Sequence, residues 1–207
     1  LTMREDISGF KGEKLESLSK NWIFLLKDLK ADFLLCPNLL SISKKYIQKY
    51  NISKIILTGG GDVYDNHEEN EANRQTVENY LIETSIVNSI PLFGICRGMQ
   101  VINKYFGGEK KCIQGHAGTT HKISFLNREK KFTVNSYHNE GISIDGLGKG
   151  LVVTALSEDK LVEAFNHKQY LIFAQMWHPE RKILNVDTNK VFLDFLTDGQ
   201  KNNLCEE

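Results

Sequence analysis

Phe93-Gly94-Ile95-Cys96-Arg97-Gly98-Met99-Gln100 ends an apolar run on a cysteine with a glycine two residues before it and another two residues after. This spacing predicts a nucleophile elbow. A strand over Pro91–Ile95 turns sharply into a helix, and glycines on both sides keep Cβ atoms out of the crowded turn. The thiol is then presented at the first turn of the helix, where unpaired N–H groups and the positive dipole end favour a thiolate. A lone G-x-C-x-G is equally compatible with a small buried cysteine in a tight turn, so the rest of the chain has to decide.

Working outward, Lys54-Ile55-Ile56-Leu57-Thr58 is a continuous apolar strand of the kind buried in parallel sheets, and it runs into Gly59-Gly60-Gly61. Between the two glycine-rich strand ends, Val77, Tyr80, Leu81 and Thr84 share one face of a helix over Asn73–Asn88. Upstream, Leu15, Leu18, Trp22, Leu25, Leu26 and Leu29 predict an amphipathic helix over Glu13–Lys30. A short buried strand over Phe33–Cys36 and a helix over Ile42–Tyr50 follow. The alternation up to Phe106 predicts a doubly wound, flavodoxin-like, mostly parallel sheet with helices on both faces and its ligand crevice at the carboxyl ends of the strands.

From Lys110 onward the texture changes. His121–Phe125, Phe132–Asn135, Leu151–Leu156, Leu161–Phe165 and Tyr170–Met176 read as short strands suited to antiparallel pairing, and a helix over Asn189–Leu196 closes the chain. Gly146-Leu147-Gly148-Lys149-Gly150 reads as a flexible connector; it lacks the ending a phosphate loop needs.

The 207 residues fit one α/β domain spanning 1–207. Formal net charge is zero, which predicts a small-molecule partner, not nucleic acid or an anionic membrane surface. Cysteines 36, 96, 112 and 205 have neither paired nor zinc-type spacing, as expected in a reducing cytoplasm. No stretch approaches the about 18 to 20 apolar residues of a membrane span, and the opening residues do not form a signal segment. None of the six histidines stands at ligand spacing from an acid, so neither a catalytic metal nor another cofactor is expected.

Trp177-His178-Pro179-Glu180 follows the apolar strand ending at Met176. Residues i and i+2 of an extended segment share a side, so Glu180 can hold one imidazole nitrogen of His178 while the other faces Cys96. In isolation a solvated His-Pro turn would be the commoner reading. Two such signals at strand ends in opposite halves of the chain reinforce one another.

These motifs give the chain a resemblance to the class I glutamine amidotransferases, with Cys96, His178 and Glu180 in the order of their catalytic triad. Leu57-Thr58-Gly59-Gly60-Gly61-Asp62, His116-Ala117-Gly118 with His121, Asn135-Ser136-Tyr137-His138-Asn139-Glu140-Gly141 and Trp177-His178-Pro179-Glu180-Arg181 are similar to the γ-glutamyl hydrolase branch. Thr2-Met3-Arg4 is similar to the end of that family's first strand, which would begin before Leu1. The short Gly61–Asn73 loop, Glu16-Ser17-Leu18 and Trp22 resemble a compact group from bacterial surface-polysaccharide pathways that includes hydrolases of γ-glutamyl-CDP-amidate.

The resemblance implies cysteine-dependent hydrolysis of a γ-glutamyl amide through a thioester, with Gly60 and Arg97 amides as the oxyanion hole. It implies substrate contacts from Gly61, Gln100, Ser136, Tyr137 and His138, and structural hydrogen bonds from His116 and His121 around the pocket. Lys110, Lys111, Lys122, Arg128, Lys130 and Lys131 read as a solvated basic face; some of these lysines, or Arg97, are candidates for phosphates of a nucleotide leaving group. Two other readings are a glutaminase subunit that delivers ammonia to a synthetase partner and a non-enzymatic redox-sensing relative. The intact His178-Pro179-Glu180 argues against the second, because a sensor thiol needs no acid–base partner.

Overall fold

The computed structural model describes residues 1–7, 12–63, 73–181 and 186–197. Strand β1 (Arg4–Ile7) pairs antiparallel with β2 (Lys14–Ser17) in a two-stranded sheet, followed by helices α1 (Lys20–Asp28) and α2 (Leu40–Lys49). The main sheet is built from β3 (Ile55–Leu57), helix α3 (Arg74–Asn88), β4 (Leu92–Ile95) and helix α4 (Arg97–Tyr105). It continues through β5 (Lys111–Cys112), β6 (Ala117–Phe125), β7 (Lys131–Tyr137), β8 (Glu140–Ser143), β9 (Leu151–Ser157), β10 (Leu161–His167) and β11 (Ile172–Gln175), and α5 (Lys190–Thr197) ends the described chain.

Its order is β3-β4-β11-β10-β9-β6-β7, with β8 on β10 and β5 on β8. Only β3, β4 and β11 run parallel to one another, and every other pairing is antiparallel. The sheet is therefore mixed, with helices on both faces. Phe93 packs its ring against Phe192 and Phe195 of α5, and Trp22 of α1 meets the same Phe192. Gly94, pointing the other way, lies under α4, where a Cβ would stand 2.8 Å from the Gly98 backbone.

Local chemistry explains several boundaries. Asn73 caps α3 by accepting from the amides of Gln75 and Thr76 at 2.8 and 3.3 Å. The helix expected over Glu13–Lys30 begins only at Lys20, because Ser19 caps it and Lys14–Ser17 is drawn into pairing with β1, leaving Leu15 exposed. Tertiary pairing there overrides helical periodicity.

Phe33–Cys36 is no regular strand either. Cys36 alone bridges Thr2, and Phe33, Leu34 and Leu35 stay largely exposed. Thr2 lies against β3, donating its amide to the Ile56 carbonyl at 3.1 Å. The Gly146–Gly150 connector is packed rather than flexible: the Asn103 side chain donates to the Gly146 carbonyl and accepts from the Gly148 amide. A Cβ at Gly148 would stand 2.7 Å from the Asn103 carbonyl oxygen.

Candidate active site

Cys96 stands between the end of β4 and the start of α4 with φ 50° and ψ −106°, a backbone conformation that side chains rarely adopt. Two close approaches hold it there. A Cβ at Gly98 would fall 2.2 Å from the Leu57 carbonyl oxygen, and a Cβ at Gly94 would strike Ile102 at 2.5 Å. Only glycine lets α4 start this near to β3 and β4. The Cys96 amide donates to the Gln175 carbonyl at 2.9 Å, so β11 fixes the turn from its other side.

His178 arrives three residues after β11, and its backbone is clasped by one side chain. Asn135 of β7 donates to the His178 carbonyl and accepts from the His178 amide, both at 2.9 Å. The imidazole donates from Nδ1 to Glu180 Oε1 at 2.7 Å, which leaves Nε2 for the Cys96 sulfur, hydrogen-bonded to the same ring. Burial opposes the charged imidazole, but the hydrogen bonds and charges of Cys96 and Glu180 outweigh it and push the His178 pKa up to about 9. Sulfur, imidazole and carboxylate thus form one buried chain with a retained proton. Tyr137 sets its ring edge-on to His178 at 5.7 Å, and the Arg181 guanidinium stacks on the Tyr137 face at 3.7 Å.

The Thr58–Asp62 loop faces this pair and is held from beneath. A Cβ at Gly59 would lie 2.8 Å from His178 Cε1 and 3.4 Å from Cys96 Cβ, while Gly60 and Gly61 take φ values of 85° and 78°. Arg74, at the start of α3, donates to the carbonyls of Thr58 and Gly60 at 2.7 and 2.6 Å. Its Nε pairs with Glu78 at 2.8 Å, and Glu78 also takes a short hydrogen bond from Arg97. Arg97 in turn donates to the Asp62 carbonyl at 2.9 Å. Burial lowers the Arg74 pKa to about 10 against the pull of Glu78. One buried carboxylate therefore ties the glycine loop to the first turn of α4, whose leading amides have no intrahelical acceptor.

The sequence-derived candidates divide. Cys96, His178 and Glu180 converge, with the Gly60 loop and Arg97 beside them. Gln100 is buried and donates to the Glu140 carbonyl at 3.1 Å. Ser136 and His138 turn elsewhere: the Ser136 hydroxyl donates to the His116 carbonyl, and His138 Nδ1 donates to the Glu140 carbonyl at 2.9 Å. Of that segment, Tyr137 is the side chain that touches His178.

The Arg97 guanidinium is buried and donates to Glu78 and to the Asp62 carbonyl. The basic face is partly paired too, Lys110 with Glu140 and Lys131 with Glu158, and Arg128 lies over Phe125 and Phe132. Residues 64–72, most of the short loop after Gly61, and Cys205 lie outside the described residues.

Gly59, Arg74, Glu78 and Asn135 were not singled out as site residues from the sequence. Arg74 and Glu78 do stand at i,i+4 spacing, but a helix pair of that kind is ordinarily a surface pair.

A cysteine on a strained turn at the carboxyl end of a parallel strand, facing a His–Glu pair at the end of its neighbour, is the arrangement of an α/β fold of the amidotransferase type. The chain belongs to the family described as glutamine amidotransferase class-I, whose profile matches residues 14–197. It is 38% identical over 172 residues to a γ-glutamyl-CDP-amidate hydrolase of Campylobacter jejuni, covering 82% of this chain and 83% of that one. It is 30% identical over 203 residues to a putative glutamine amidotransferase-like protein of Lactococcus lactis, covering 84% of each. Among solved structures, a putative GMP synthase component from Thermoplasma acidophilum superposes with a TM-score of 0.68 at 22% identity, over 94% of this chain and 92% of that one. That likeness bears on the fold alone.

Proposed function

We propose that this protein hydrolyses a γ-glutamyl amide through a thioester on Cys96, with a γ-glutamyl-CDP-amidate or similar compound as substrate. The Cys96–His178–Glu180 chain carries the reading. His178, pushed up to about 9, carries its proton at neutral pH beside the sulfur, and Cys96 reacts as its thiolate. The thiolate adds to the γ-carbonyl carbon, and the electron pair of the C=O bond moves to oxygen. The Gly60 and Arg97 amides receive that charge, a contribution on the order of 3 kcal/mol per donor.

As the tetrahedral adduct collapses, the C–N bond breaks and His178 gives its proton to the leaving nitrogen. The neutral imidazole then removes a proton from water, which attacks the thioester and frees glutamate and the thiolate. Glu180 keeps the tautomer and steadies the imidazolium throughout. The C. jejuni relative supports the amidate as the leaving group, and its match covers most of both chains.

Incubation of the purified chain with γ-glutamyl-CDP-amidate, glutamine and simple γ-glutamyl anilides tests this, with hydroxylamine added to trap the acyl group as a hydroxamate. Turnover without a partner, hydroxamate formation, and a loss of about 10⁴-fold or more in Cys96→Ala are expected. Turnover that survives Cys96→Ala overturns the mechanism. Activity on glutamine alone, and only when a synthetase is added, supports the ammonia-delivering reading instead.

A further inference from the structure

Beneath the Tyr137 end of β7 lies a cluster that the reaction above does not use. Glu163 of β10 is 1% exposed, and neither of its carboxylate oxygens has a hydrogen-bond partner. His116 Nδ1 and His138 Nε2 each lie 3.9 Å from its Oε1, and His121 Nε2 lies 3.2 Å from its Oε2. All three nitrogens are likewise without hydrogen bonds. Among the described residues, one donor atom each from His116, His138 and Glu163 falls within 4.8 Å of the other two. The spacing of the histidines along the chain gave no metal-ligand pattern, whereas the fold brings His116 and His138 to Glu163.

The tautomers sharpen the point. His138 Nδ1 faces the Glu140 carbonyl oxygen at 2.9 Å, which can only accept, so Nδ1 carries the hydrogen and Nε2 is a lone pair in the neutral ring. His116 Nε2 faces the Asp159 carboxylate at 3.0 Å, so in the neutral ring the hydrogen is there and Nδ1 presents a lone pair to Glu163. Two lone pairs and a carboxylate oxygen thus converge in a buried space. They repel one another unless a cation lies between them.

We propose that His116, His138 and Glu163 hold a divalent transition-metal ion, Zn²⁺ fitting best, with His121 or a water in the fourth position. Tetrahedral zinc bonds of about 2.0–2.2 Å put neighbouring donor atoms about 3.3–3.5 Å apart, so the 3.9 Å separations need to close by roughly half an ångström. Two imidazoles and one carboxylate suit zinc, whereas Mg²⁺ and Ca²⁺ prefer oxygen throughout.

Outer partners that orient the ligands are already in position. Asp159 is fixed by the Ser157 hydroxyl at 2.5 Å, and the Glu140 carbonyl accepts from Gln100 as well as from His138. The ion's role is structural: it ties β10 to the segments at the start of β6 and the end of β7, next to the Tyr137 ring that packs on His178. The site stands independently of the hydrolase reading.

The test uses the full chain carrying Cys96→Ala, so that the active-site thiol cannot compete, stripped with chelator and titrated with Zn²⁺ by calorimetry. Uptake of about one ion per chain is expected, lost in Glu163→Gln and weakened about 10- to 100-fold in Asp159→Asn. Asp159 is 54% exposed, so that second substitution reports even where Glu163→Gln fails to fold. The Co²⁺-loaded protein should show d–d bands without sulfur charge transfer. No uptake, uptake unchanged by Asp159→Asn, or a thiolate band would overturn the proposal; in the first case a shared proton is the cation.

Discussion

Glu78 and Glu163 are both shut away from solvent, and their surroundings are opposite. Glu78 takes hydrogen bonds from Arg74 and Arg97, which themselves hold the Thr58–Asp62 loop. Glu163 faces three imidazoles and bonds none of them. The first carboxylate completes a lock whose charges and hydrogen bonds are accounted for. The second has imidazole nitrogens 3.2–3.9 Å away but no hydrogen bond from them, a burial that a protonated imidazole or a metal ion would offset. The locked region holds Cys96 and the Thr58–Asp62 loop, while the other lies next to the end of β7, the strand whose Asn135 clasps the His178 backbone.

The largest effect expected from this contrast is that of Glu78→Ala. It leaves two buried guanidinium groups without their anion and should cost about 3–5 kcal/mol of stability, read by urea unfolding. A loss below about 1 kcal/mol would mean that the lock is not one. Gly59→Ala probes the same loop from above. Because Arg74 prevents the loop from yielding, a Cβ 2.8 Å from His178 Cε1 should lower kcat/KM about 100-fold while the unfolding midpoint moves little.

On the other side, the raised His178 pKa sets a sign. The imidazolium is fully charged below its ordinary pKa of 6.5 and is lost as pH rises through about 9. The stability it contributes therefore declines over that window. The kcat/KM profile should fall about tenfold per pH unit above its alkaline limb near 9, and Glu180→Gln should move that limb downward.

The smallest effect is expected at Glu163. In chelator, Glu163→Ala removes a buried carboxylate that has no hydrogen bond and should not lower stability by more than about 1 kcal/mol. Added Zn²⁺ should raise the melting temperature of the parent chain but not of this variant. A loss in chelator as large as that of Glu78→Ala would erase the contrast.

Much of the site was legible in advance because its motifs are local. The elbow needs Gly94 and Gly98 within two residues of Cys96, and His178 needs Glu180 two residues on, so short-range spacing carries both. Helix α3 was equally readable, since Asn73 caps it and the apolar face has the right period. What failed depended on distant partners: Lys14–Ser17 became a strand because β1 lies beside it, and Gly146–Gly150 became rigid because Asn103 grips it.

The chain's residue order specified the chemistry on offer, a cysteine at a strand-to-helix turn and a histidine with its carboxylate, because backbone sterics and i,i+2 geometry act within a few residues. Which side chains meet across the sheet was decided by the tertiary fold. Arg74 and Glu78 look like a surface pair until Arg97 arrives from another helix, and His116, His138 and Glu163 share nothing in sequence. They become neighbours only where β10 faces the segments flanking β6 and β7, and burial there turns ordinary polar groups into ones that require a partner.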